Sequence, residues 1–261
     1  MRDNGGWRAS LQLSDLTLLQ LLVGIAAFFL GGLVKGVIGV ALPLIALSIL
    51  ITVVPVPVAV GLQAIPILAS NLWQGADPAQ IRPTLKRFWS LLAAVAVGMA
   101  VGTGLLVEIA PRPLYALVGT LISAMALVQA LAPNLSIPPE RERWASPAVG
   151  AVAGLLGGLI ASFGPVIAIY LAALRMPKNL FISSLGIAYF SAGLPLTLLL
   201  IARGVLDTTL LWLSVVACAP VFAGMFLGRR LRDRIDQALF RKLVLGALFL
   251  AGLNLIRRAI W

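Results

Sequence analysis

A chain of 261 residues that is 61% hydrophobic and 11% charged has more apolar surface than one aqueous core can hide, which excludes an ordinary soluble domain. Its mean hydropathy of +1.04 places it in a membrane, where each spanning helix takes about 20 apolar residues. The net charge of +11 does not point to nucleic acid, because the basic residues sit in short gaps between apolar runs, where they set topology and meet anionic lipid.

With no His and a single Cys, Cys218, an intrachain disulfide is impossible. No zinc, haem or iron-sulfur ligand set can be assembled either, so no resident cofactor or metal is expected.

The apolar runs predict an all-helical polytopic membrane protein of ten segments. In chain order they are 16–34, 37–54, 56–73, 88–110 and 114–132, then 147–160, 163–174, 180–202, 208–228 and 238–256. The first is read as a helix and not a secretory signal, because its apolar run continues for about 19 residues with no small-residue cleavage site. The long polar interruption, 133–146, has a Pro-Pro-Glu-Arg-Glu-Arg core that cannot stay in hydrocarbon. It is the linker between a first membrane repeat, 1–132, and a second, 147–261. Segment 163–174 is too short to span at about 1.5 Å per residue, which predicts a broken or re-entrant helix after Ser162; a matching break is expected after Lys35.

The two halves match at an offset of 126 residues. Gly31, Gly32 and Leu33 fall on Gly157, Gly158 and Leu159, and Gly98, Met99, Gly102 and Leu105 fall on Gly224, Met225, Gly228 and Leu231. A duplicated unit of five segments is odd, so the second copy enters the bilayer in the opposite direction, as an inverted repeat. Assigning loops alternately puts 14 of the 20 basic residues on one side, including Lys35, Arg82, Lys86, Arg87, Arg141 and Arg229. By the positive-inside rule that side is cytoplasmic, and both termini lie outside.

The run Gly31 to Pro43 combines four glycines, Lys35 and Pro43 within an apolar stretch, and Gly157 to Pro165 is its partner in the second copy. Freed backbone groups at membrane depth are tolerated where they line a cavity, and paired broken segments mark a transport site. Helices that begin after such breaks aim N–H groups and positive dipole ends at an anion. The competing reading is that the glycines serve close helix packing, as Gly98 with Gly102 and Gly224 with Gly228 are expected to do.

Lys35 is either a functional charge or a helix-end lysine that snorkels to the headgroups. The candidate substrate-binding residues are Lys35, Gly36, Gly39, Pro43, Gln63, Asn71, Gln74, Ser162, Gly164, Pro165, Tyr189 and Ser191. For the neutral ones, interhelical hydrogen bonding is the alternative role. Trp73 and Trp89 flank the basic loop as interfacial anchors.

All nine carboxylates lie in tails, loops or segment ends, with Glu108 alone near membrane depth. A buried proton relay is poorly supported, and there is neither a phosphate loop for ATP nor a nucleophile beside a base. An enzyme is not expected.

The stretches Leu33 to Leu44, with its Lys-Gly-x-x-Gly, and Ser70-Asn71-Leu72-Trp73-Gln74 resemble the sulfite exporter TauE/SafE family, as do Gly157-Gly158-Leu159, Phe163-Gly164-Pro165 and residues 243–257. These are duplicated bacterial permeases associated with sulfite and organosulfonates. The resemblance covers nearly the whole chain and departs at Ala41, where a glycine is common. It implies a permease of the bacterial inner membrane that exports sulfite or a short organosulfonate, with a small anion and lipid as its partners. Anion uptake, or a non-transporting membrane assembly factor, is the alternative. Oligomeric state and coupling ion are not readable.

Overall fold

The computed structural model describes residues 17–38, 41–73, 78–131, 137–176 and 178–231, together with 246, 249–250, 252–254 and 256–257. Gly39, Gln74 and most of the expected tenth segment lie outside the described residues, as do residues 133–136 of the linker. The described chain is all-helical: α1 (Leu18–Ile38), α2 (Leu42–Leu50), α3 (Val56–Leu62), α4 (Ala64–Trp73), α5 (Pro78–Arg87), α6 (Trp89–Glu108), α7 (Pro111–Leu131), α8 (Pro139–Ile160), α9 (Gly164–Ala173), α10 (Lys178–Ala202), α11 (Thr208–Val216) and α12 (Cys218–Leu231).

Among the described residues, six stretches are long and apolar enough to cross a membrane: Leu18–Val37, Val56–Trp73, Trp89–Glu108, Glu140–Ile160, Ser184–Ala202 and Thr208–Leu231. The protein is therefore a multi-pass membrane protein. By contrast α2 and α9, at 9 and 10 residues, reach only about 15 Å and cannot cross a hydrocarbon core of about 30 Å.

Each short helix folds back along the long helix before it. α1 ends at Ile38 and α2 starts after Ala41, which holds φ 81°, with Pro43 in the first turn, where a missing N–H costs nothing. The outer ends of this hairpin meet where Gln20 Nε2 donates to Val53 O at 3.2 Å. α8 ends at Ala161, φ 54°, and α9 starts after Phe163 with Pro165 in its first turn. Its outer ends meet at the Ser146 and Tyr170 hydroxyls, 2.5 Å apart, and where Ile137 N donates to Ala173 O at 2.9 Å.

Long helices from opposite halves clasp through glycine. A Cβ on Gly36 would sit 2.5 Å from Met225 O and 3.0 Å from Gly228 Cα; one on Gly158 would sit 2.6 Å from Met99 O and 2.8 Å from the Gly102 carbonyl carbon. Gly32 faces Val221, and Gly154 faces Val95. Numbers rise together along both pairs, so α1 runs parallel to α12 and α6 parallel to α8. Backbones this close need hydrogen in place of a side chain, because without a hydrophobic drive in lipid, close packing holds the helices together.

In these contacts α6 corresponds to α12 at an offset of 126, but α1 corresponds to α8 at 122, through Gly32 with Gly154, Gly36 with Gly158 and Pro43 with Pro165. The match of Gly31-Gly32-Leu33 with Gly157-Gly158-Leu159 is thus shifted by four residues, about one helical turn, a slip that a repeating small-xxx-small face hides in the sequence. The residue corresponding to Lys35 becomes Gly157 in place of Ala161.

Further boundaries differ from the sequence reading. Residues 139–146, expected in the linker, are the first two turns of α8: Pro139 suits the opening of a helix, and Glu140 and Glu142 complement its positive end. The basic gap before α6 contains helix α5, too polar to register as an apolar run. Its last residue, Arg87, makes a bidentate pair with Glu142, at 2.7 and 2.8 Å, that ties the two halves together. Segment 56–73 is interrupted at Gln63, and 208–228 at Ala217.

Candidate functional site

The tips of the two hairpins meet at one cavity, lined by Lys35, Ala41, Leu42, Pro43, Ile67, Asn71, Phe163, Gly164, Pro165 and Tyr189. Its volume is about 20 Å³, room for about one water molecule.

Lys35 is the charge of this site. It is 4% exposed, and its Nζ donates to Asn71 Oδ1 at 2.5 Å and to Ser70 Oγ at 2.8 Å, both on α4. A snorkelling lysine points outward along lipid; this one points inward at protein. Its place in the last turn of α1 lets the negative end of the helix dipole stabilise the ammonium. An ammonium has no acceptor, so Asn71 must turn its carbonyl oxygen toward Lys35, and its NH2 becomes a donor directed elsewhere. No carboxylate pairs with Lys35 among the described residues; the two ion pairs found there are Arg87–Glu142 and Arg203–Glu108.

Two helix N-termini complete the cavity. Neither α2 nor α9 has a side-chain cap, so their first backbone N–H groups, with the positive dipole ends behind them, face this region. Opposite α9, the Tyr189 hydroxyl donates to Gly164 O and its ring meets Phe163 edge-on at 6.0 Å. One ammonium, an amide and two uncapped helix starts make a surface that donates hydrogen bonds and suits a small oxyanion.

The structure thus brings together Lys35, Pro43, Asn71, Gly164, Pro165 and Tyr189 of the expected residues. Gly36 is at the α1–α12 contact, doing the packing work that was its alternative role. Gln63 is fully buried at the α3–α4 break, with Nε2 donating to Ala59 O at 3.1 Å and no partner for Oε1 among the described residues. Ser162 follows the end of α8, buried, its Oγ also without a partner there, and neither residue lines the cavity. Ser191 is half-buried on α10, away from it. Ser70, not among the candidates, holds Lys35; its adjacency to Asn71 was the available signal. Phe163 and Ile67 close the apolar wall, and nothing in an apolar sequence singles them out.

A family model described as sulfite exporter TauE/SafE matches residues 24–255, which include both hairpin tips and every cavity residue. The chain belongs to the TauE/SafE family. This is a transporter family, and it makes sulfite or a related anion the kind of substrate to which the cavity must be compared. No curated protein matches the chain, and no solved structure does.

Backbone strain is concentrated at the two hairpin tips. Ala41, at φ 81°, is in the left-handed region, which costs about 1–2 kcal/mol that glycine would not. Ala161 carries a similar strain at the second tip, so each hairpin turns on an alanine held left-handed by what surrounds it.

Proposed function

We propose that this TauE/SafE protein exports a small sulfur oxyanion, sulfite or a short organosulfonate, across the bacterial inner membrane, binding it between the two hairpin tips. The observation that carries the reading is the convergence of Lys35, Asn71 and both uncapped helix starts on one cavity. Lys35 supplies the charge, and Asn71 and the backbone N–H groups of α2 and α9 supply neutral donors that hold an anion and still release it, while Tyr189 ties itself to the start of α9 through Gly164 O. The anion takes the place of Ser70 and Asn71 as the partner of the Lys35 ammonium when it loads.

The same reading takes the chain as ten segments in two inverted five-segment repeats on either side of residues 133–138, the second opening with α8, with both termini periplasmic. Parallel pairing of α1 with α12 and of α6 with α8 supports it, because in that topology the members of each pair cross in the same direction. Membrane potential, negative inside, drives the anion outward.

Proteoliposomes loaded with radiolabelled sulfite test this. Wild-type protein releases sulfite faster than empty liposomes, and Lys35→Ala does not. Equal release from both preparations would remove the permease reading and leave an assembly factor in its place.

A further inference from the structure

Arg229 lies with its guanidinium carbon 4.4 Å from the centre of the Trp73 ring. The other arginine–aromatic stacks among the described residues are local: Arg87 on Phe88 and Arg143 on Trp144 are sequence neighbours, and Arg230 on Phe226 is one turn of a single helix. The Arg229–Trp73 stack instead joins α12 to α4. Trp73 also meets Phe222 at an edge, with centroids 5.1 Å apart and planes at 81°. Phe222 and Arg229 are seven residues apart, so they share one face of α12 and both contact the indole.

This pair stands beside the anion site. Gly36 and Gly228, the sequence neighbours of Lys35 and Arg229, are in backbone contact, and both cations reach α4, Lys35 at Ser70 and Asn71, Arg229 at Trp73. Three helix C-termini, of α1, α4 and α12, therefore meet on the face that the proposed topology makes cytoplasmic. Stacking occupies the flat face of a guanidinium and leaves its in-plane N–H fork available, the geometry that binds an oxyanion through two hydrogen bonds. Arg229 is exposed and in neither ion pair among the described residues.

We propose that Arg229, held on Trp73, is a cytoplasmic capture site, where a sulfonate or sulfite oxyanion is bound before it passes to Lys35. The proposal rests on the permease reading above and adds a second binding step to it. Arg229 attracts the anion from the cytoplasm and strips part of its hydration, and Lys35, whose neighbouring glycine touches that of Arg229, takes it over at the hairpin tips.

Sulfite transport by vesicles with the cytoplasmic face outward tests it, with Lys35→Ala as control. The ratio of maximum rate to half-saturating sulfite concentration falls about tenfold for Arg229→Gln and Trp73→Leu, the loss of one charge-assisted fork at a wet site. Arg229→Lys, which keeps the charge and loses the fork, falls between them and wild type. Added salt lowers the wild-type ratio more steeply than that of Arg229→Gln, because screening acts on the charge that has been removed.

Arg229→Gln with wild-type half-saturation and wild-type salt dependence would overturn the capture site. So would Trp73→Leu that lowers only the amount of protein in the membrane, since that is the behaviour of a lipid anchor. Either result beside an inactive Lys35→Ala removes the capture step alone, whereas an active Lys35→Ala removes the permease site itself.

Discussion

Lys35 Nζ and Asn71 Oδ1, 36 residues apart in sequence, are 2.5 Å apart in space and bridge the last turn of α1 to α4. The bond holds a charge inside the protein where a lipid-facing lysine would reach for water, at the edge of the cavity both residues line.

Removing either partner follows from that geometry. Lys35→Ala lowers sulfite transport by about tenfold or more, while Lys86→Ala, an exposed residue of α5, stays near wild type at similar membrane levels. Asn71→Leu leaves the buried ammonium with Ser70 as its one described partner, a loss of about 1–3 kcal/mol that lowers both thermal stability and transport. The double variant Lys35→Ala with Asn71→Leu is less destabilised than the sum of the two, because the unpaired charge is gone. Purified-protein melting curves and flux on the same preparations check all three; strict additivity would uncouple the pair.

The strained tip gives a substitution in the opposite direction. Ala41→Gly relieves a φ of 81°, offset in part by the greater freedom of glycine in the unfolded chain, so stability is unchanged or rises by about 0.5–1 kcal/mol. Ala41→Val, β-branched in the left-handed region, loses stability. A thermal melt in detergent reads both, and a clear drop for Ala41→Gly would contradict the strain.

The glycine clasps predict a contrast between positions that look alike in sequence. A Cβ on Gly154 would overlap the Val95 carbonyl and one on Gly224 the Phe29 carbonyl, whereas one on Gly24 meets nothing within 4 Å. Gly154→Val and Gly224→Val therefore reduce folded protein in the membrane severalfold, and Gly24→Ala leaves it unchanged. Detergent-solubilised yield by size-exclusion chromatography is the measurement.

Energetics can be tested through charge. Moving one charge through 100 mV is worth about 2.3 kcal/mol, a gradient of roughly fiftyfold per charge. Export from vesicles should follow an imposed potassium-diffusion potential and ignore a pure pH gradient once the protonation of sulfite is corrected for. Glu108, the acid expected nearest membrane depth, has a side chain 70% exposed and 4.0 Å from Arg203, so Glu108→Gln should leave that behaviour intact. Accumulation driven by pH at zero potential would require a proton path.

Topology has its own check. A reporter active only in the cytoplasm, fused after Trp261, should be silent if both termini are periplasmic. Strong activity would sink the ten-segment inverted arrangement.

Composition and local pattern determined the membrane class, the helical fold, the family resemblance and the location of both breaks, because each depends on short-range facts: apolar run length, glycine and proline punctuation, and the cost of charge in lipid. The breaks were legible because Pro43 and Pro165 cannot sit inside a helix without cost. Tertiary structure alone decided what each glycine is for: Gly36 and Gly164 look equivalent in sequence, yet one is pressed against α12 and the other lines the cavity. It also decided the register, since a glycine face repeating every four residues matches nearly as well at 122 as at 126, and only the facing helix selects one. The direction of Lys35 needed α4 for the same reason. A lysine near a helix end can turn to lipid or to protein, and the acceptors that turn it inward, Ser70 and Asn71, are 35 and 36 residues away and come within reach only when the chain has folded.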